Sequence, residues 1–405
     1  MKVMKDYKLM AVGQIVADCF DYAKVFNKYG IDFCCNGDVS LADACGKMGK
    51  KYAKMIQEGR ISGMCLGAVC CRSHESSQWA KAELGGELPV FQDTEKLFDV
   101  SDLFDACLIV TPHKLHPEMI IQAFDKGKHI FCDKPIGVSV GQCLKIRQKA
   151  EEKDLVFAMM FHQRMYPKYE RIHELLESGT LGQIRRILME NSRYYRTWHY
   201  HKSGSWRSSW RGEGGGALLN QGQHLLDIWQ WLFGMPESLY ALIPYGKYND
   251  FSVDDEATIV MKYPDKKTAV FILTTGEGTW TERLEIVGSK GTLLLEDSHL
   301  TLHLYDRDLE EYKRTASCNS REELKERVTE ETFPQDEEPY EEMLADFAQA
   351  VLEKRPVRVN GLEGLNSLEL TNAAYLSAWM GAPVSLPIDE VQYERELEKR
   401  IREEI

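Results

Sequence analysis

A lysine and a histidine, each set among polar residues, are the side chains of this sequence best suited to chemistry. Lys134 stands in "HIFCDKPIG", where an acid, a base and a proline follow an apolar run with no turn residues between. His224 lies in "GGGALLNQGQHLLD", four residues after Asn220 and three before Asp227, a spacing that places all three on one face of a helix. Oxidation of an alcohol needs a base that titrates near neutrality and a cation that stabilises the developing alkoxide. Histidine and lysine meet these two needs.

The elements that must position Lys134 belong to an alternating pattern between about residues 64 and 161. Helical stretches at 117–124 and 140–150 lie between four nearly continuous apolar runs: "MCLGAVC", "ACLIVTP", "HIFCDKP" and "VFAMMF". This alternation predicts a Rossmann-type, doubly wound parallel sheet, whose ligands bind beyond the carboxyl ends of its strands. Lys134 stands at such an end. The alternative is that Asp133 and Lys134 form an ordinary surface ion pair.

A phosphate-binding loop is suggested just before this sheet. In "ACGKMGKKYAKMI" Gly46 and Gly49 occupy the second and third positions of a G-x-G-x-x-G fingerprint, and Ala44 occupies the first. At the end of the following strand, where an acid would bind the ribose hydroxyls, the chain has Cys71 and then Arg72. An arginine favours the 2′-phosphate of NADP, and the alternative is a solvated surface side chain.

The pattern changes after about residue 180. Strands are predicted in close succession at "RRILMENSR", "EATIVMKYP", "KTAVFILTT" and "ERLEIVGSKGTLLLED", the last a hairpin that turns at 288–291. We take the charged stretch 306–339 as a solvated helix and loop, followed by helices at about 340–353 and across "GLNSLELTNAAYLSAW". The second domain is therefore predicted to be α/β with an open, mostly antiparallel sheet.

Composition excludes several classes of partner. The chain has 405 residues and a net charge of −13, which argues against nucleic-acid binding because such proteins concentrate Lys and Arg. No apolar run is long enough for a membrane helix, so we expect no membrane partner and a cytoplasmic protein. The 11 cysteines, an odd number, suit reduced thiols better than a disulfide framework. His199 and His201 have no carboxylate or cysteine at ligand spacing, so we expect no metal.

Four groups of residues recur in one known family: Thr111-Pro112-His113 with His116, Asp133-Lys134-Pro135, Gly214-Gly215-Gly216 with Gly222 and His224, and "YLSAWMGAPVSLPID". Together they resemble the glucose-fructose oxidoreductase, inositol dehydrogenase and MocA (Gfo/Idh/MocA) family from about residue 46 to the end. The resemblance implies an NAD(P)-binding domain at 46–155 and a substrate-binding and oligomerisation domain at 156–405. It also implies hydride transfer between NAD or NADP and a hydroxyl of a sugar, glycoside or cyclitol, in a homodimer or homotetramer.

The resemblance assigns three catalytic roles. Lys134 orients the substrate hydroxyl and relays its proton, His224 is the base, and Asn220, where the family often has an acid, is a hydrogen-bonding orienter. The cofactor-binding residues implied are Gly46, Met48, Gly49, Cys71, Arg72, Thr111, Pro112, His113, His116 and Asp133. The expected substrate-binding residues, which include members of an aromatic- and Arg-rich stretch at 193–210, are Arg164, Tyr195, Trp206, Arg207 and Asp227.

The front of the chain does not fit this family. Residues 8–45 resemble the N-terminal domain of iron-sulfur cluster repair di-iron proteins through "GIDFCC", and the pattern predicts a short helical module at 1–45. The first Rossmann strand should lie near 38–44, where "DVSLADA" is a poor central strand. Cys34 and Cys35 suit either metal or thiol chemistry, or an inert or partner-binding role. A second reading therefore stays open: a non-catalytic or redox-sensing fusion protein with a degraded cofactor site.

Overall fold

The computed structural model describes residues 47–201, 207–334 and 339–404. Four predictions lie outside these ranges: the helical module at 1–45 with its cysteine pair, the first Rossmann strand near 38–44, Gly46 and Trp206. Within the described ranges the chain folds around two kinds of sheet, one parallel and one mostly antiparallel.

The parallel strands lie in the first part of the chain, in two pieces. They are β1 (Val69–Cys70), β2 (Val90–Phe91), β3 (Ala106–Ile109), β4 (His129–Cys132) and β5 (Phe157–Met159). One piece pairs β1 with β2 and the other has the order β3-β4-β5, and every pairing is parallel, as predicted. In β4 the last three residues are buried, because helices cover the sheet.

Helices connect these strands. They are α1 (Lys47–Gln57), α2 (His74–Glu83), α3 (Thr94–Asp99), α4 (His116–Asp125) and α5 (Val140–Glu152). The Pro117 ring in the first turn of α4 removes an N–H that would have no helical partner, so the helix starts there without penalty. Ile120, Ala123 and Phe124 bury one face of α4 against the sheet.

The second sheet has nine strands. They are β6 (Ile184–Asn191), β7 (Ser238–Leu242), β8 (Glu256–Lys262), β9 (Thr268–Thr274), β10 (Glu282–Gly288), β11 (Gly291–Glu296), β12 (His299–Tyr305), β13 (Glu326–Thr332) and β14 (Val384–Ser385). Their order is β13-β12-β11-β10-β6-β9-β8-β7-β14, antiparallel except for the β6–β9 pair. Alternate residues of β8, β9 and β10 are buried, as expected for a sheet with one covered face.

Seven described helices follow β5. They are α6 (Pro167–Glu177), α7 (Trp198–His201), α8 (Gly222–Phe233), α9 (Leu309–Thr315), α10 (Tyr340–Glu353), α11 (Gly364–Met380) and α12 (Glu390–Glu403). Helices α8 and α11 pack against the nine-stranded sheet. Trp229 of α8 packs edge-on against Phe271 of β9, with ring centroids 5.8 Å apart. Helix α11 packs on both α8 and β7, and this joins the last part of the chain to the core.

Two predictions about elements were wrong. The charged stretch at 306–339 contains α9, but it also contains β13, which pairs with β12 along seven residues. Side chains of β13 are nearly all exposed, so charge does not oppose an edge strand held by backbone hydrogen bonds. The prediction that Asn220 lies on the same helix as His224 and Asp227 was also wrong, because Asn220 precedes that helix. Gly214 has φ +89° and Gly216 lies against Asp254, so a turn occupies these positions and α8 begins at Gly222.

Candidate active site

A cavity of about 990 Å³ lies beyond the carboxyl ends of β1, β3 and β4. One part of its wall comes from the loops that follow these strands and from the first turn of α1. The other part comes from the turn before α8 and from α8 itself, through Asn220 and His224. Lys134 follows β4 directly and also lines this cavity, so the strand places the lysine at the edge where ligands bind.

Lys134 makes two contacts with one residue. Its Nζ donates hydrogen bonds to the backbone oxygen of Asn220 and to Asn220 Oδ1, both at 2.9 Å. An ammonium group has three N–H donors, so one is left for a ligand in the cavity. Burial lowers the pKa of Lys134, and the negative charges of Asp133 and Glu213 oppose that shift. Asp133 Oδ1 in turn accepts from the Lys134 backbone N–H at 2.8 Å, which shapes the end of the strand.

His224 lies on the same cavity wall, on the first turn of α8. Its ring packs edge-on against the ring of His162, with centroids 4.6 Å apart, and its Nδ1 has no hydrogen-bond partner among the described residues. Burial lowers the pKa of His224 well below its usual value, and the charges of His162 and Lys134 add to this effect. A histidine in this setting is neutral at pH 7 and can accept a proton.

Most of the residues predicted to bind the cofactor line this cavity. Those brought together are Met48, Gly49, Cys71, Arg72, Thr111, Pro112, His113 and Asp133. His116 does not line it. Its ring nitrogens lie 2.6 Å from the backbone oxygen of Thr111 and 2.7 Å from that of Pro135. His116 therefore ties the chain after β3 to the chain after β4, and it acts on the cavity through those two loops.

Of the residues predicted to bind substrate, Arg207 lines the cavity. Its guanidinium lies over the Tyr200 ring, NH1 donates to the Tyr200 hydroxyl at 2.7 Å, and both residues line the cavity. Tyr195 is 54% exposed and lies outside the cavity wall. Trp206 lies outside the described residues.

Arg164 and Asp227, two other residues predicted to bind substrate, form an ion pair with each other away from the cavity. Arg164 Nε and NH2 donate to the two oxygens of Asp227 at 2.7 and 2.6 Å, and both side chains are buried. Arg164 NH1 also lies 2.7 Å from Glu363. Asp227 sits one turn deeper in α8 than His224, and neither residue of the pair lines the cavity. The pair is a satisfied ion pair of the interior that joins α8 to neighbouring segments.

The sequence reasoning missed His162 and Glu213. His162 follows β5 by three residues, so the rule that ligands bind at the carboxyl ends of parallel strands was a signal that could have found it. Glu213 precedes the three glycines, and nothing in its spacing marks it. Its carboxylate is buried, and Oε1 accepts from Asn220 Nδ2 at 2.6 Å.

The cavity fits a dinucleotide. Met48, Gly49 and Lys50 at the start of α1 form part of its wall, and a helix N-terminus stabilises phosphate groups. Lys50 and Arg72 bring positive charge to the part of the cavity next to Cys71, which stands after β1 in place of the usual ribose-binding acid. In the described ranges no group of three or more His, Cys, Asp or Glu side chains is arranged to hold a metal ion. None of the described helices is both long and apolar enough to cross a membrane.

Family models identify the class of protein. Residues 44–161 match the model described as oxidoreductase family, NAD-binding Rossmann fold, and residues 169–294 match the GFO/IDH/MocA C-terminal domain. These matches span more than half of the chain, so the chain belongs to the GFO/IDH/MocA family of oxidoreductases. The predicted family and fold class are thereby confirmed. A third model, a domain of unknown function named ScdA_N, matches residues 8–58. This match agrees with the separate resemblance stated for residues 8–45.

Among curated proteins, similar sequences include dehydrogenases of diols and cyclitols. Trans-1,2-dihydrobenzene-1,2-diol dehydrogenase of Bos taurus is 26% identical over 195 residues, 48% of this chain and 55% of that protein. The scyllo-inositol 2-dehydrogenase (NADP(+)) IolU of Bacillus subtilis is 25% identical over 210 residues, 52% of this chain and 62% of that protein. The matched region thus spans little more than half the length of these curated relatives.

Solved structures share the fold. The WlbA dehydrogenase of Bordetella pertussis, in complex with NADH and UDP-GlcNAcA, superposes with a TM-score of 0.69 and 22% identity, over 85% of this chain and 97% of that one. Levoglucosan dehydrogenase, in complex with NADH and levoglucosan, gives a TM-score of 0.67 and 18% identity, over 84% and 97% of the two chains. At this level of identity the likeness concerns the fold alone.

Proposed function

We propose that this protein is an NAD(P)-dependent dehydrogenase that transfers a hydride between the nicotinamide and a hydroxyl of a sugar, glycoside or cyclitol. The observation that carries the proposal is the shared cavity. Lys134, Asn220 and His224 line the same cavity as the loops predicted to bind the dinucleotide. The names of the similar proteins, which include diol, inositol and anhydrosugar dehydrogenases, support this class of substrate.

Each of the three residues has a distinct task in this proposal. Lys134 directs its free N–H at the substrate hydroxyl and stabilises the alkoxide that develops as the proton leaves. His224, neutral because of its lowered pKa, accepts that proton. Asn220 holds the lysine through its two oxygens. The nicotinamide, when bound, supplies the hydride acceptor. Met48, Gly49, Thr111 and the other loop residues would hold the dinucleotide.

We also propose that the cofactor site accepts NADP. Arg72 and Lys50 line the cavity on the side of Cys71, and an acid that would repel a 2′-phosphate is missing from the end of β1. The cysteine distribution supports a cytoplasmic location. A homodimer or homotetramer would use the outer face of the nine-stranded sheet, where Leu242 and Val260 of neighbouring strands are 57% and 49% exposed.

The first test is to titrate NADH and NADPH separately into the purified full chain and to follow binding by calorimetry. Micromolar binding of either supports the proposal, and tighter binding of NADPH supports the role of Arg72. If the folded protein binds neither, the dehydrogenase assignment fails, and the non-catalytic reading replaces it.

The second test compares Lys134→Met with a matched control. The substitution keeps the unbranched shape and most of the length of the side chain and removes its charge, so we expect kcat for a sugar or cyclitol substrate to fall by about 10²–10³. Cofactor affinity should change little. Lys145→Met makes the same change at an exposed position of α5 and should behave as the unmodified protein. Equal turnover in the two variants would remove Lys134 from the mechanism.

A further inference from the structure

A buried carboxylate lies beside the three proposed catalytic residues and contacts only one of them directly. Glu213 is 3% exposed. Its Oε1 accepts from Asn220 Nδ2 at 2.6 Å, and its Oε2 accepts from the backbone N–H of Ser208 at 2.8 Å. Ser208 has φ +51°, a conformation uncommon for a residue with a side chain, and the hydrogen bond from its N–H to the carboxylate holds this turn. Glu213 thus joins the turn at 208 to the proposed active site.

The chemistry of these contacts fixes the orientation of the Asn220 amide. A carboxylate can only accept hydrogen bonds and an ammonium group can only donate them. The NH2 group of Asn220 must therefore face Glu213 while Oδ1 faces Lys134 Nζ. The opposite orientation would place donor against donor on one side and acceptor against acceptor on the other. Because Glu213 forces the amide into one state, Oδ1 is held where it orients the lysine.

Glu213 also supplies charge. Lys134 experiences the negative charges of Asp133 and Glu213 and the positive charges of Arg207 and Arg196. The two histidines near it, His113 and His224, are both kept neutral by burial. Burial raises the pKa of Glu213, whereas Arg207, the Ser208 backbone N–H, the Asn220 amide and Lys134 favour its charged form. Without Glu213, the single carboxylate of Asp133 would have to balance the surrounding cations.

We propose that Glu213 is a positioning residue of the dehydrogenase reaction, which locks the Asn220 amide onto Lys134 and keeps the lysine in its charged form. This inference rests on the proposed function for its catalytic meaning. The electrostatic part of it concerns the protein alone and can be measured without substrate.

The direct test is the titration of Lys134, followed by NMR of protein containing isotope-labelled lysine, with the Lys134→Met variant used to assign the signal. A negative charge nearby favours the ammonium form, so Glu213→Gln should lower the pKa of Lys134 by about one unit. Glu282→Gln is the matched control, since Glu282 is also a buried carboxylate but lies away from the cavity. The control should leave the Lys134 titration unchanged. Identical titrations in all three proteins would overturn the proposal.

The kinetic test uses the same variants. Turnover should fall as pH rises through the pKa of Lys134, and in Glu213→Gln this alkaline limb should move to lower pH by about one unit. Glu213→Asp keeps the charge but shortens the side chain, so it should lower kcat at least tenfold without moving the limb. If Glu213→Gln does not fold, Glu213→Asp provides the test instead, and a wild-type kcat in Glu213→Asp would overturn the proposal. If the unmodified protein has no turnover, the proposed function fails, and the NMR titration still tests the role of Glu213.

Discussion

Replacing Asn220 by aspartate should create a pair of carboxyl groups that shares one proton. In the structure Asn220 Nδ2 lies 2.6 Å from Glu213 Oε1, and Asn220 Oδ1 lies 2.9 Å from Lys134 Nζ. Asp has the shape of Asn, so one of its oxygens would take the place of the NH2 group and face the buried carboxylate. Two acceptors at this distance cannot form a hydrogen bond unless one of them carries a proton.

The distance sets the size of the effect. Two unit charges 2.6 Å apart repel by about 6 kcal/mol at an effective dielectric constant of about 20. Protonating one carboxyl group at pH 7 costs about 4 kcal/mol, because each unit above its ordinary pKa near 4 costs about 1.4 kcal/mol. Proton uptake is therefore the less costly route. Burial already raises the pKa of Glu213 and so reduces this cost, and we expect the variant to lose about 2–4 kcal/mol of unfolding free energy at pH 7.

The sign of the pH dependence follows from linkage. The shared proton raises the carboxyl pKa in the folded variant, so the variant's stability is fully present below pH 4 and falls as pH rises toward the folded pKa. We would measure thermal unfolding of the unmodified protein, Asn220→Asp and Asn319→Asp between pH 4 and pH 8. Asn319 is exposed and provides the matched control. The gap between Asn220→Asp and the unmodified protein should widen with pH, and a constant gap would refute the geometry described for Glu213.

Three further predictions concern other parts of the molecule. The acid limb of kcat/KM for alcohol oxidation should lie below pH 6.5, the usual pKa of histidine, because burial lowers the pKa of His224. His162→Phe should move that limb upward, and a limb above 6.5 in the unmodified protein would contradict the assignment. Arg72→Glu should weaken NADPH binding at least tenfold more than NADH binding in calorimetry, whereas the exposed control Arg314→Glu should change neither. Asp254→Ala should cost on the order of 3 kcal/mol in unfolding free energy, because two backbone N–H groups and a tyrosine hydroxyl lose their buried acceptor; an unchanged melting temperature would show that these donors find other partners.

Sequence patterns predicted the elements around the proposed active site well where they were long and periodic. Apolar runs gave the strands at Ala106–Ile109 and His129–Cys132, and helical spacing gave the helix at Tyr340–Glu353. The strand at Val90–Phe91 was not predicted, because a run of two residues is too short to show a periodic pattern. The helix at Glu390–Glu403 was also not predicted. Only Tyr393 and Leu397 of its fourteen residues are buried, so its sequence shows little apolar periodicity.

Among the residues of the proposed site, some positions could also be predicted from local patterns and others could not. The position of Lys134 followed from its place after an apolar strand, because the carboxyl ends of parallel strands face the ligand. The separation of Asp227 from Asn220 and His224 could not be predicted. The 3.6-residue period would place all three on one side of a helix, but Asn220 lies in the turn before α8. The period also does not give the depth of a residue in the structure, and Asp227 is held by Arg164, which lies 63 positions away.

The sequence by itself determined the family, the two kinds of sheet and the lysine and histidine of the proposed site, because these depend on local patterns and motifs. Only the tertiary structure decided which polar groups meet. The contacts of Glu213 with Asn220, of His162 with His224, and of the turn at Gly216 with Asp254 join segments whose separation along the chain has no regular value. Such contacts arise when buried polar groups must find partners, and packing of the whole chain determines which partners are within reach.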